Sequence, residues 1–328
     1  MYPVPDGDTG TNLTLTLRGI LESVGKLPPG LGQSELCNAI AQAALMGARG
    51  NSGVILSQIV RGAMEVLGQS GPVTADVITR CLRHATDTAY RAVRKPVEGT
   101  MLTVLRDMAA KAQELVAAGG ADREALLDGV IAEGWRSVER TPSLLRVLAD
   151  AGVVDAGGFG LVVLLEGTVK RRHEGVPIET RLERPPLYPV TFEEEEEDEV
   201  SAYGYCTSYL LTGEAVDKDR LEEELSTLGD SLLVVGGNGQ VKIHVHTDDP
   251  GRVLAIGTSL GVLSEIEIDN MAEQAAARSR RLAEAEGLPA DPGLTQVVAV
   301  VAGEGNKRLF RNLGVDFIVD GGQSMNPS

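Results

Sequence analysis

Aromatic residues are scarce in this chain, with one tryptophan, six tyrosines and four phenylalanines among 328 residues. Trp135 and Tyr90 lie in stretches of helical periodicity and read as packing residues rather than as ligand stackers. There are only three cysteines, Cys37, Cys81 and Cys206, and their odd number and wide spacing argue against a disulfide framework and for reduced thiols. Basic residues are also in deficit: 30 Lys and Arg stand against 47 Asp and Glu, a net charge of −17. Such a chain repels phosphate backbones and anionic headgroups, which excludes general binding to nucleic acid or to a membrane surface. No apolar run approaches the roughly 18 residues of a membrane-spanning helix, so no integral membrane segment is expected. The start, MYPVPDGDTG, has neither a basic nor an apolar leader region, and the expected location is the cytoplasm.

At roughly 100 to 200 residues per domain, the length predicts two or three domains. From 14 to 170 the chain reads as a series of amphipathic helices rich in Ala, Leu and Val. Leu36, Ile40, Ala43 and Ala44 recur at helical spacing, as do Val104, Met108 and Leu115, and again Leu126, Val130 and Ile131. An all-helical bundle or barrel spanning 1–185 is the expectation. The Pro-rich ERPPLYPV and the acidic run Glu193–Glu199 resist helix and strand alike and place a linker at 186–200.

Beyond the linker, 201–290 reads as a mixed α/β domain. YCTSYLLTG (205–213) is a strand and 217–228 a charged helix. SLLVVGGNGQVKIHVHTD reads as two strands about a Gly-Asn-Gly turn, PGRVLAIGTSLG as a helix opened by proline, and 271–286 as a charged helix. In 291–328, TQVVAVV and VDFIV flank a short helical stretch, Asn306 to Leu313. That is the opening of a parallel βαβ unit and too little to complete one, so a C-terminally shortened α/β stub is expected.

Two Gly-rich polar segments interrupt the helical half where helices should start. In PDGDTGTN, Asp6 and Asp8 are separated by one glycine and followed by Thr9, Thr11 and Asn12. Two carboxylates this close either share a hard cation such as Mg²⁺ or form an Asx turn that caps the next helix. GARGNSG (47–53) precedes an apolar helix, either as a phosphate cradle of exposed backbone N–H groups or as a tight helix crossing. It is not a Walker loop, because GxxxxGK[ST] is absent. DAGGFG (155–160) is a third turn of this kind, and three together favour phosphate binding. On VKIHVHT, Val241, Ile243 and Val245 share one strand face and His244 and His246 the other, about 6 to 7 Å apart. With Cys206 from another strand they suit tetrahedral Zn²⁺; the alternative is exposed polar residues on an edge strand. His84 and His173 show no partner in the sequence.

PVPDGDTGTN, MGARGNSGVILSQI, EGTMLTVLRD, DAGGFGL, GYCTSYLLTG, VKIHVHTDDPG and DFIVDGGQSMNPS together resemble the catalytic A subunit of bacterial fatty acid kinase. Its first domain is similar to the ATP-binding L subunit of dihydroxyacetone kinase. The resemblance covers essentially the whole chain. It implies an all-helical nucleotide domain in which Asp6 and Asp8 hold two Mg²⁺ ions on the ATP phosphates. Thr9 and Asn12 would lie beside them, Gly50, Asn51, Ser52 and Gly53 would cradle phosphate, Thr100 and Met101 would line the nucleotide, and the turn of Asp155, Gly157 and Gly158 would close over it. It further implies that 291–328 is the truncated start of a DegV-like domain, and it implies Zn²⁺ on Cys206, His244 and His246, a homodimer, and a separate DegV-like lipid-binding protein presenting a fatty acid whose carboxylate becomes an acyl phosphate. The dihydroxyacetone kinase relatives carry a third Asp five residues before the first of the pair. That position here is Met1, so the chain is expected to be shortened at its start as well. Competing expectations are a dihydroxyacetone (glycerone) kinase-like phosphotransferase and a non-catalytic nucleotide- or zinc-binding scaffold.

Overall fold

The computed structural model describes residues 9–119, 122–174, 203–214, 216–237, 239–273, 298–301 and 317–320. Residues up to Asn270 form one compact unit and those from Met271 a second. The expected linker, the larger part of the expected helix 271–286 and the helical stretch 306–313 lie outside the described residues.

The helical half comprises α1 (Thr9–Gly25), α2 (Gln33–Met46), α3 (Gly50–Leu67), α4 (Ala75–Ala92), α5 (Met101–Ala117), α6 (Arg123–Leu144), the short α7 (Arg146–Asp150) and α8 (Ala156–Glu174). Local chemistry sets several of the boundaries. Thr74 caps α4 by accepting from the Val77 N–H, and Asp122 caps α6 by accepting from Ala125 at 2.8 Å. Two of the apolar stripes read from the sequence face inward, Val104 and Met108 of α5 and Leu126, Val130 and Ile131 of α6 forming one cluster with Leu115 packed against it; in the stripe of α2, Ala43 and Ala44 are buried with Ile40 against them, but Leu36 is exposed. The helix α3 is the central one, since Val54, Ile55, Leu56, Ser57, Gln58 and Ile59 are buried in succession. A helix covered nearly all round needs an apolar circumference, which VILSQIV supplies. Trp135 packs edge-on against Phe159 with ring centroids 5.2 Å apart, as a packing residue should.

The remainder of this unit is a four-stranded antiparallel sheet in the order β2-β3-β1-β4, with two helices. The strands are β1 (Tyr205–Thr212), β2 (Gly229–Gly237), β3 (Gln240–Thr247) and β4 (Val262–Asn270); the helices are α9 (Lys218–Leu225) and α10 (Pro250–Leu260). Asp217 and Asp249 cap the two helices, and Pro250 opens α10 where its missing N–H costs nothing. Tyr209, Leu211, Val241, Ile243 and Val245 pack under Leu221, Leu225 and Val253 on one face. On the other face Leu233 and Val235 of β2 join the core built by Ile55, Leu56 and Ile59. The helical half and the sheet are thereby fused. Arg61 of α3 adds a bond to the Gly236 carbonyl, and its neighbour Glu65 takes His84 at 2.8 Å, giving that histidine the partner the sequence does not reveal.

Two departures from the sequence reading concern the sheet. β4 lies in a stretch assigned no strand, because VLSEIEIDN mixes acids with aliphatics and leaves most of its side chains at least partly exposed, as an edge strand allows. β3 is an interior strand, paired with β1 and β2, and not an edge. In the second unit β5 (Val298–Val301) and β6 (Phe317–Asp320) run parallel, as the βαβ reading expects. Among the described residues no helix is long and apolar enough to cross a membrane.

The α3–α4 crossing depends on a missing side chain. A Cβ at Gly62 would lie 2.7 Å from Ala85 Cα and 2.8 Å from the His84 carbonyl oxygen, both backbone atoms that cannot give way. Gly62→Ala is therefore expected to cost about 1–3 kcal/mol through overpacking. Gly71→Ala, whose Cβ would meet nothing within 4 Å, should change stability by less than about 0.5 kcal/mol. Urea unfolding of both variants checks this; equal midpoints would contradict the packing argument.

Candidate functional site

Four helix starts meet at one end of the helical half. Leu13, Val54, Met101 and Leu161, each within the first two turns of α1, α3, α5 and α8, share one buried cluster. Glycine makes the approach possible. Gly50 sits at φ 56°, in the left-handed region, and a Cβ there would collide with the Asn12 amide. A Cβ at Gly53 would strike Thr16 Oγ1, and one at Gly160 the Leu13 side chain. Thr16 Oγ1 donates to the Asn12 carbonyl at 2.7 Å and accepts the Arg49 N–H at 3.1 Å, tying α1 to the loop before α3. Gly157 and Gly158, in the first turn of α8, abut Met101 and Val104 of α5. Each helix start presents orphan N–H groups and about half a positive charge, so four together make an anion-attracting end.

Every described residue assigned to nucleotide by the sequence reading lies on these starts. Thr9 and Asn12 are in the first turn of α1, and Gly50, Asn51, Ser52 and Gly53 form the first turn of α3. Thr100 caps α5, Met101 begins it, and Asp155, Gly157 and Gly158 open α8. Asp6 and Asp8 lie outside the described residues.

The sheet carries the second constellation. Cys206 of β1 pairs in register with His246 of β3, and the ligand atoms of Cys206, His244 and His246 all lie within 4.8 Å of one another. Cys206 Sγ is 3.8 Å from His244 Nδ1, and the two rings are 5.2 Å apart. Both imidazoles are almost fully buried, which overturns the exposed-edge alternative. Burial lowers the pKa of both histidines, that of His244 far below its ordinary value. Asp230 Oδ1 stands 3.5 Å from His246 Nδ1 and opposes the shift there, as an outer carboxylate orienting a ligating ring would. A half-buried thiol and two buried, neutral imidazoles this close suit tetrahedral Zn²⁺.

Arg49 joins the two constellations. It is the N-cap residue of α3, and its Nε lies 3.0 Å from Glu267 of β4. Glu267 stands opposite Ser208, and Ser208 opposite His244, so the helix start is held over the sheet face that carries the metal set. Lys242, two residues before His244, belongs to the same face and is fully buried. Burial lowers its pKa, Glu267 opposes the shift and Arg49 reinforces it. The sequence reading does not single out Arg49, Ser208, Lys242 or Glu267. The one signal it holds is the alternation of VKIHVH, in which the lysine keeps step with the histidines.

Asp155 is buried at the start of α8. Its Oδ2 accepts the Gly158 N–H at 2.6 Å, its carboxylate takes the Met101 N–H as well, and its own N–H donates to Thr141 Oγ1. Thr141 in turn donates to the Val138 carbonyl, which Pro142 inside α6 cannot reach for lack of an N–H. Burial pushes the Asp155 carboxyl up to about 6, against the two amides. A raised folded-state pKa means that the native state holds the proton longer than the unfolded chain, so this group's contribution to stability falls as pH rises from about 4 to 6. Relative to Asp155→Asn, the wild type should lose on the order of 2–3 kcal/mol between pH 4 and pH 7. Urea unfolding of both proteins across that range tests it, and a pH-independent difference would contradict the assignment.

Residues 3–170 match the DAK2 domain, 202–278 the middle domain of fatty acid kinase A-subunit-like proteins, and 296–328 the C-terminal domain of the same proteins. Uncharacterized proteins of Staphylococcus aureus strains bovine RF122 / ET3-1, MRSA252 and USA300 are each 38% identical over 344 residues, an overlap that takes in 100% of this chain and 61% of theirs. The chain therefore spans about three-fifths of the length of these curated relatives. With the helical half matching one domain family and the rest matching the two that follow it, the chain belongs to the DAK2-domain family of fatty acid kinase A-like proteins.

Proposed function

We propose that this protein is an ATP- and Mg²⁺-dependent kinase that transfers the γ-phosphoryl group to the carboxylate of a fatty acid presented by a DegV-like lipid-binding partner, giving an acyl phosphate. The observation that carries the reading is the meeting of four helix starts, with Asn12 seated against Gly50, at the end where the Asp6 and Asp8 segment enters α1. Mg²⁺ on Asp6 and Asp8 would neutralise charge on the phosphate oxygens, and the first turns of α3, α5 and α8 would supply backbone donors to them other than the Met101 and Gly158 N–H groups, which Asp155 takes. A carboxylate oxygen attacks the γ-phosphorus, the bond to the bridging oxygen breaks, and ADP departs with that electron pair. A carboxylate is already ionised at neutral pH, so the reaction needs no general base. This accords with Asp155, whose carboxylate is taken up by two backbone amides. Zn²⁺ on Cys206, His244 and His246 would fix β1 and β3 in register and hold the shape of the acceptor side. In this reading the protein works in the cytoplasm as a homodimer.

Calorimetric titration of ATP should show binding with Mg²⁺ that weakens at least about tenfold without it and in Asp6→Ala/Asp8→Ala, a change of about 1.4 kcal/mol or more. Given ATP and the fatty-acid-loaded partner, the protein should form ADP and an acyl phosphate that hydroxylamine traps as a hydroxamate. Phosphorylation of dihydroxyacetone with no partner present would favour the glycerone kinase reading, and binding without turnover on either acceptor the scaffold reading. Unchanged affinity in the double variant would remove the metal assignment.

Metal analysis of protein purified without chelator should find about one zinc per chain, set by one three-residue ligand group. Cys206→Ala and His244→Ala should each lose most of it and unfold at lower temperature. Zinc-free protein that also fails to take up added Zn²⁺ would defeat the metal centre.

A further inference from the structure

Four buried polar side-chain atoms on or over the metal face of the sheet have no hydrogen-bond partner among the described residues; besides His246 Nδ1, which faces Asp230 at 3.5 Å, they are Lys242 Nζ, Ser208 Oγ and, from the loop before α3, Arg49 Nη1. Lys242 has no exposed surface and Ser208 is 4% exposed. The strand register brings them together. Lys242 lies opposite Leu210, two residues from Ser208 on the same face, which makes Lys242 and Ser208 diagonal neighbours. Glu267 is directly opposite Ser208 and holds Arg49 by its Nε, leaving Nη1 buried and unused. A buried ammonium without an acceptor is costly, and Glu267, already engaged by Arg49, offsets the charge only in part. Two cations and a hydroxyl gathered in this way at the start of α3 are donors without an acceptor, and the group that satisfies all three is an oxyanion.

We infer that Lys242, Ser208 and Arg49 form an oxyanion subsite between the sheet and the first turn of α3. Its ligand is the carboxylate of the phosphoryl acceptor or the phosphoryl group in transfer, both of which offer several acceptor oxygens. The inference rests on the kinase reading for the identity of the ligand. The subsite itself rests on the three unpartnered donors. Its place between the helix starts and the metal set is where donor and acceptor would have to meet. Lys242 is a binding residue in this scheme, and Arg49 binds while holding the sheet to the helix start.

The test is calorimetry on the zinc-loaded protein saturated with Mg²⁺-ADP, so that the nucleotide phosphates are already in place. Inorganic phosphate and butyrate are titrated separately at matched ionic strength. The wild type should bind at least one of them: phosphate if the subsite holds the transferring group, butyrate if it holds the acceptor. Lys242→Met should weaken that binding at least about tenfold, about 1.4 kcal/mol, with zinc content and Mg²⁺-ADP affinity unchanged. Lys242→Arg should recover part of it. With no anion present Lys242→Met should unfold at the same temperature as the wild type or higher, because an apolar side chain of similar volume replaces an unpaired buried cation. Neither anion binding to the wild type, or Lys242→Met binding as the wild type does, would overturn the subsite. Failure of Mg²⁺-ADP to bind at all would instead strike the kinase reading, and the two failures are read separately.

Discussion

Gly50 and Gly53 cannot carry side chains without displacing Asn12 and Thr16, and that close contact between α1 and the first turn of α3 is what the rest of the site depends on. It places Thr16 where it can accept the Arg49 N–H, fixes the loop ahead of α3, and sets the end toward which α5 and α8 also begin. Helix starts do not gather without cause. Four positive helix ends in one place repel one another weakly; the Asp155 carboxylate takes up the Met101 and Gly158 N–H groups of α5 and α8, and a further anion would offset the repulsion of the rest. An acidic protein that concentrates backbone donors at one end is organised to attract a polyanion locally while repelling it elsewhere.

Arg49 extends this arrangement into the sheet. Its backbone belongs to the α3 start and its guanidinium to β4 through Glu267. The same sheet face shows Leu233 and Val235 to the helical core, so apolar burial and one ion pair act together to hold the metal set near the helix starts. The ion pair is partly exposed at both partners and contributes about 0–1 kcal/mol by itself. Its contribution is one of position more than of stability. The burial of Leu233 and Val235 stabilises more, by roughly 1.5–3 kcal/mol for each side chain.

The helices are legible in the sequence because α3, α5 and α6 bury long aliphatic stripes; the caps of α4 and α6, Thr74 and Asp122, are seen only in the structure. The three Gly-rich turns are legible as interruptions of the helical pattern, but nothing local in them indicates that Asn12 meets Gly50 or that Gly160 meets Leu13. Those are contacts between residues 38 and 147 positions apart, and only packing creates them. The Cys/His set is legible from the alternation on β3, although the edge placement offered as its alternative is wrong: a central strand reads the same as an edge strand when its second face is polar. β4 escapes the sequence for the related reason that acids interleaved with aliphatics do not distinguish a strand from a loop. Arg49 and Lys242 escape it because a lone Arg in a Gly-rich loop and a lone Lys in a strand are ordinary surface residues until the fold half-buries the one and fully buries the other.

If the starts of α1, α3, α5 and α8 together receive the phosphates of one nucleotide, their backbone amides are shielded when it binds. Hydrogen–deuterium exchange with and without Mg²⁺-ATP addresses this most directly, since the groups in question are backbone amides. Slowed exchange is expected at 10–13, 50–53, 101–102 and 157–159 together, in one saturable transition, with the sheet outside its metal face unchanged. Protection confined to a single helix start, or protection elsewhere with these four segments unaltered, would contradict it.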